Sequence, residues 1–185
     1  MWLCEGAKID WGAVGAIATA VAALIALSVW IIDKLQRQNE RKRSAKLLAQ
    51  MMTGPVGAAQ IEIARLRSDI TADDHDQSYV VGLINSQEVR KDFFLKVSFV
   101  TFDLPSQYID KADLFAENVN SRVAYALSQV SRLKVLASLL AALPDSAREE
   151  DINEHAIVAL RQILETENSI GKAFQALLDV GKSAV

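Results

Sequence analysis

The sequence predicts an all-α protein in which one N-terminal transmembrane helix is followed by a cytoplasmic α-helical bundle. Three observations support this fold class. A stretch of 22 residues near the N-terminus contains no charged side chain. Glycine and proline are scarce, with 8 and 3 in 185 residues, while alanine and leucine are abundant, which favours helices. Apolar residues recur at spacings of three and four through much of the remaining chain.

The transmembrane helix is predicted at residues 11–32, and we name this stretch the apolar span. At a rise of about 1.5 Å per residue it covers about 33 Å, enough for a hydrocarbon core of about 30 Å. Trp11 and Trp30 lie near its two ends, where indole rings favour the headgroup region. Eighteen of its residues are hydrophobic, and the other four are Gly12, Gly15, Thr19 and Ser28.

Two other interpretations of the apolar span fit the sequence less well. A core helix of a soluble protein is apolar on one face, whereas this one is apolar on every side. A cleaved signal peptide has a basic N-terminal region and a shorter apolar stretch of about 7–15 residues. Here Glu5, Lys8 and Asp10 precede the span, and the basic cluster follows it.

The basic segment, residues 33–46, predicts the orientation of the span. It holds six basic and two acidic residues, and basic flanks stay on the cytoplasmic side. Residues 1–10 are therefore predicted as an external N-tail. The cluster either serves as a topology signal alone or also contacts anionic lipid headgroups, at about 1 kcal/mol per residue. The predicted membrane-interface residues are Trp11, Trp30, Lys34, Arg37, Arg41, Lys42, Arg43 and Lys46.

Small residues recur four apart along the apolar span and predict helix association. Small side chains at this spacing let two backbones approach closely in lipid, which predicts a homo-oligomer through the span. The alternative is that an alanine-rich helix produces such spacings by chance. One stripe comprises Gly12, Ala16 and Ala20, and its neighbour comprises Gly15, Thr19 and Ala23.

The helix of the span is predicted to continue through a basic juxtamembrane helix, residues 33–53, and to break at Gly54-Pro55. Residues 54–185 then form the cytoplasmic helical domain. Its first helix, at 55–70, would bury a face that includes Ile61 and Leu66, and a polar loop would follow at 71–78.

Residues 79–102 suit either a strand or a helix, because they combine β-branched and aromatic residues with a helical spacing. A capping box starting at Asn85 favours the helix. Core packing is the default for the aromatic residues here, although helical phasing cannot bury all of them; they are Phe93, Phe94, Phe99 and Phe102.

Two long helices complete the predicted domain. The first, at about 113–143, has apolar residues stepping by three or four and stops before Pro144. The second opens at a capping box starting with Ser146 and runs to about Val180. Short connections predict antiparallel neighbours.

Residue types that carry chemistry are present, but their spacing favours structural roles. The densest group of metal-ligand types is Asp73, Asp74, His75 and Asp76, and consecutive loop residues diverge instead of converging on an ion. His155 lacks the spacing of a zinc helix, and no phosphate-binding glycine loop occurs. Cys4 is the single cysteine, so no internal disulfide can form. We predict no catalytic site, metal or cofactor.

Charge and anchoring together predict the function class. From residue 47 to the end there are 13 basic and 19 acidic residues, and an acidic surface disfavours nucleic-acid binding. The sequence predicts a non-enzymatic interaction module, tethered to the lipid bilayer of the cell membrane, that binds another protein or itself at the cytoplasmic face. The alternatives are a membrane-perturbing or pore-forming effector whose anchors oligomerise, and an enzyme of unknown class.

Overall fold

The computed structural model describes residues 11–71 and 76–182, and they are helical throughout except for short connections. No strand occurs in these residues, which confirms the predicted all-α class. The helices are α1 (Trp11–Thr71), α2 (Asp76–Asn85), α3 (Gln87–Ser98), α4 (Ser106–Asp110), α5 (Glu117–Ala142) and α6 (Glu149–Lys182), with a 3₁₀ turn at Ala112–Leu114.

The chain divides into two compact units within α1. The first, which we name the N-terminal segment, ends at Arg43, and the second, the body, begins at Ser44. Among the described residues, α1 is the helix that is long and apolar enough to cross a membrane, by its length and composition.

The predicted helix break at Gly54-Pro55 is wrong, because α1 continues through both residues to Thr71. Proline removes one backbone hydrogen bond, which costs about 3 kcal/mol in a helix interior. Met52 and Val56, which flank the break, are fully buried, so packing holds this stretch helical. The carbonyl of Met51, which loses its partner at Pro55, lies on an exposed residue where water can bind it.

Within the body, α1 and α6 run antiparallel. Gln50 donates to the carbonyl of Gly181, and Arg67 pairs with Glu167 at 3.3 Å, so rising numbers on one helix meet falling numbers on the other. Between these contacts a side chain at Gly57 would meet the ring of Phe174 at 3.3 Å. Glycine at this position therefore permits the close approach of the two helices.

Helices α5 and α6 are also antiparallel, as their short connection predicts. Gln129 on α5 bonds to Gln162 on α6, and both side chains are buried. The core of the body adds aliphatic side chains from α1, α3, α5 and α6, including Ile63, Val97 and Leu133.

The ambiguous residues 79–102 form two helices, which settles the choice against a strand. The predicted cap at Asn85 is displaced by one residue: Asn85 ends α2, and Ser86 caps α3 by accepting a hydrogen bond from the amide of Val89. Of the four phenylalanines, Phe93 and Phe102 are buried, whereas Phe94 and Phe99 are exposed.

Two other helix starts also differ from the prediction. Helix α5 begins at Glu117, four residues later than predicted, because the preceding residues form the 3₁₀ turn. Helix α6 begins at Glu149, and Ser146 lies in a turn instead of capping it. The predicted loop at 71–78 is shorter, since α2 already starts at Asp76.

Candidate functional site

The apolar span is a helix that no other described residue buries. Every side chain described between residues 12 and 32 is exposed, and the large apolar ones leave 43 to 65% of their surface uncovered. Exposed apolar surface of this extent is unfavourable in water and favourable in an apolar environment. The side chain of Trp11, a predicted interface residue, lies outside the described set.

The polar groups of the span are satisfied within the helix. The hydroxyl of Thr19 donates to the carbonyl of Gly15 at 2.9 Å, and that of Ser28 donates to Leu24 at 2.8 Å. Both are bonds to the preceding turn, so neither hydroxyl requires water or a partner helix. Local satisfaction of this kind suits a helix in hydrocarbon.

The predicted association residues all lie on this helix and are exposed, so its surface is open at each of them. A side chain added at Gly15 would meet nothing within 4 Å. Their packing against another helix stays a prediction. The residues are Gly12, Gly15, Ala16, Thr19, Ala20 and Ala23.

At the C-terminal end of the span, an aromatic ring and charged groups meet on one helix surface. The ammonium of Lys34 lies 5.0 Å from the ring centroid of Trp30, and Arg37 pairs with Asp33 at 3.0 Å. Both are exposed contacts with small effects on stability. Arg41, Lys42 and Arg43 are exposed, and Lys46, which belongs to the body, is half-buried.

A buried arginine joins three parts of the body. Arg90 on α3 is fully buried, and its guanidinium donates to the carbonyls of Leu83 and Ile84 at the end of α2. It also donates to the carbonyl of Leu143 and to Asp145, both just after α5. Carbonyls at helix ends lack partners within the helix, so one planar cation satisfies the ends of two helices.

Asp145 serves a second function in the same place. Its carboxylate accepts a hydrogen bond at 2.6 Å from the amide of Gln87, the first residue of α3, while it pairs with Arg90 at 2.8 Å. An anion near a helix N-terminus is favourable. Sequence reasoning missed this group because residues 87 and 145 are far apart in the chain.

Buried amides and a hydroxyl connect α5 and α6. Gln162 bonds to Gln129, and the hydroxyl of Thr166 donates to the carbonyl of Gln162 at 2.7 Å. All three side chains are buried. Satisfied buried polar groups fix the pairing of helices, so this network has a structural role.

Two tyrosines have raised pKa values. Burial raises the pKa of Tyr79 to about 12, with smaller contributions from Asp92 and Asp69. Its hydroxyl is buried and has no hydrogen-bond partner among the described residues. Burial also raises the pKa of Tyr108, whose hydroxyl donates to Asn120 at 2.7 Å. A raised pKa keeps both phenols neutral and disfavours a role as a base.

The cluster of possible metal ligands at residues 73–76 lies mostly outside the residues that the structure describes. Residues 73–75 lie outside the described residues, and Asp76 is the first residue of α2. In the described part of the chain no group of three or more ligand side chains converges. The ring of His155 donates from Nδ1 to the carbonyl of Asp151 at 2.7 Å, which is a bond within α6.

The structure reveals one surface that the sequence analysis missed. Along α1 in the body, exposed positions alternate at spacings of four and three, and we name this set the exposed stripe: Leu47, Met51, Gly54, Ala58 and Ile61. Ile61 was predicted to face the core, as Leu66 and Ile70 do, but it is exposed. The signal in the sequence that could have predicted this stripe is the heptad spacing of its uncharged residues.

A groove of about 560 Å³ flanks this stripe, and its lining is mixed. It lies between α1 and α3, where Ala58 and Arg65 face Lys96 and Phe99. Phe99 leaves 62% of its surface exposed. The groove therefore places Phe99, an exposed apolar side chain at the end of α3, near the stripe, among charged residues such as Glu62 and Lys96.

No family model matches this sequence, and no curated protein or solved structure matches it either.

Proposed function

We propose that this protein is a single-pass, membrane-anchored helical module that binds a protein partner at the cytoplasmic face of the membrane and has no enzymatic activity. One observation carries the proposal: the apolar span is exposed on all described sides, although the body of the same chain buries side chains of the same types. A lipid bilayer supplies the cover that the span lacks.

The basic segment supports the orientation. Arg41, Lys42 and Arg43 follow the span closely and are exposed, so they can contact lipid headgroups. Basic residues next to a membrane span stay on the cytoplasmic side. The N-tail then lies outside, and the body lies in the cytoplasm.

The body supports the module. Its buried guanidinium and amides bind helix ends and one another, which are structural roles. Its exposed surface includes large apolar side chains such as Phe99, Ile109 and Val81, the kind of residue that anchors protein interfaces. Confinement to a membrane raises the effective concentration of such a surface near its partner.

The anchor is tested by placing charge at the centre of the span. Val21→Arg with Ile25→Arg adds two arginines, at about 2.5–3.5 kcal/mol each on insertion scales, and we expect the chain to become extractable from membranes at alkaline pH. The matched control is Val135→Arg with Leu139→Arg, two exposed apolar positions at the same spacing on α5. Equal extraction of the parent chain and both variants would contradict the anchor.

The interaction is tested by a photo-reactive residue in native membranes. We expect one at Phe99, the exposed apolar side chain of the groove, to give a discrete protein adduct, whereas one at the exposed Glu154 on α6 gives none. Absence of an adduct from each exposed apolar position of the body would contradict the module.

Leakage separates the module from the pore-forming alternative. The two hydroxyls of the span are bonded to their own helix, so they do not present a polar lining for a channel. We expect vesicles that contain the full chain to retain an encapsulated dye. Release that increases with protein density would favour the effector instead.

A further inference from the structure

The exposed stripe of α1 is an unpartnered helix face with a regular pattern. From Leu47 to Ser68, seven positions spaced alternately by four and three residues are all exposed. The first five carry no charge and combine Leu47, Met51 and Ile61 with the small residues Gly54 and Ala58. This alternation is the spacing by which one helix packs along another as a coiled coil.

The alternating spacing of four and three residues, continued from Leu47 towards the N-terminus, falls on small residues of the apolar span. The a and d positions of this heptad count include 12, 16, 19, 23 and 26. Trp30, Ser44 and the charged residues Asp33, Arg37 and Glu40 occupy the positions between the two stretches, so apolar contact is expected in each stretch separately. A second copy of the same helix, lying parallel, is the partner that carries both patterns in one register.

The area of the stripe shows why membrane confinement is required. The three large apolar side chains of the stripe and the neighbouring Phe99 are each 53 to 64% exposed. Together they contribute roughly 240 Å² per copy, if a full side chain carries on the order of 100 Å². A stable soluble interface buries about 800 Å² per partner. The stripe is too small to hold two copies together in dilute solution, but two anchored copies meet at a high effective concentration.

We propose that the exposed stripe, Leu47 to Ile61, packs in parallel against the same stripe of a second copy of this chain. The proposal rests on the proposed function, because it requires both copies to be anchored in one orientation. It extends the association predicted for the apolar span to a surface of the body, and it assigns the occupant of that surface.

Disulfide crosslinking of the full chain in vesicles tests the proposal. In a Cys4→Ser background, Leu47→Cys or Ile61→Cys places a thiol on the stripe. Val135→Cys is the matched control, because Val135 is 58% exposed and Leu47 is 61% exposed, but Val135 lies on α5. At a low protein-to-lipid ratio with mild oxidation, we expect a crosslinked dimer from both stripe positions and not from the control.

A charge variant tests whether the crosslink at Ile61→Cys reports packing of the stripe and not random collision of two thiols. Met51→Glu with Ala58→Glu places like charges on facing positions of the stripe, and both residues are exposed, so the body should still fold. We expect the dimer from Ile61→Cys to fall to the level of the Val135→Cys chain. Val135→Glu with Leu139→Glu should leave it unchanged.

Flotation with the vesicles separates failure of this proposal from failure of the anchor. A chain that floats but gives no more dimer from the stripe than from Val135→Cys overturns the proposal and leaves the anchor intact. A chain that does not float overturns both. Dimer from the stripe that survives the charge variant also overturns the proposed contact.

Discussion

The two parts of α1 contain similar residues in different surroundings. In the N-terminal segment Leu24 and Ile25 are more than half exposed, whereas in the body Leu48 and Ile63 are buried. The difference lies in the cover: α6 packs along α1 in the body, and no described element covers the apolar span. Hydrophobicity alone therefore does not give the environment of a residue. The distribution around the helix does, because the body has one buried face and the span is apolar on all sides.

Of the substitutions that should affect the body and not the apolar span, Arg90→Ala is expected to have the largest effect on stability. Arg90→Ala leaves carbonyls of two helix ends without their donor and opens a cavity, so we expect the free energy of unfolding of the body to fall by about 3–5 kcal/mol. Urea unfolding followed by circular dichroism measures it. Membrane retention should not change, since the span is separate.

The control for Arg90 is Arg122→Ala on α5. Arg122 is exposed, and its loss should stay within about 0.5 kcal/mol. A comparable loss of stability from the two variants would contradict the assigned role of Arg90.

A pair of leucines on α5 tests the contrast between buried and exposed apolar residues inside the body. Leu133 is fully buried and Leu139 is 52% exposed. We expect Leu133→Ala to cost about 2–5 kcal/mol and Leu139→Ala less than about 0.5 kcal/mol, measured by the same unfolding transition. Similar losses would mean that the core of the body is assigned wrongly.

The basic segment lies between the two parts of α1 and is expected to set the orientation of the chain in the membrane. Replacing Arg41, Lys42 and Arg43 with glutamine removes up to about 3 kcal/mol of attraction to an anionic surface, at about 1 kcal/mol per residue. We expect a mixture of orientations, measured by the accessibility of a cysteine at Val135 to an impermeant reagent. Replacing the exposed Arg161 of α6 should not alter orientation.

The smallest effect is expected at Tyr79 and depends on pH. Because burial raises its pKa to about 12 from 10, the unfolded chain loses this proton first, and stability falls as pH rises from 10 towards 12. Tyr79→Phe should reduce that fall and should not destabilise the body at neutral pH, since the hydroxyl has no described partner. An unchanged slope above pH 10 would contradict the assignment.

Local patterns predicted the helices, and distant contacts set their ends and exposed faces. The uncharged span and the apolar spacing of α5 and α6 are properties of consecutive residues. The helices predicted from them are present in the structure. The helix through Pro55 depends on burial of its neighbours, and the N-terminus of α3 depends on Asp145, 58 residues beyond Gln87. Ile61 looked like a core residue because periodicity does not specify which face a partner covers.

The most direct test of the proposed anchor is labelling from both sides of the membrane in intact cells. Cys4, the native cysteine of the N-tail, is compared with a cysteine at Val135 of the body in a Cys4→Ser background. An impermeant maleimide should label Cys4 in intact cells and should label Val135→Cys only after permeabilisation. Labelling of Val135→Cys in intact cells, or release of the chain by alkaline extraction, would contradict a single-pass anchor with a cytoplasmic body.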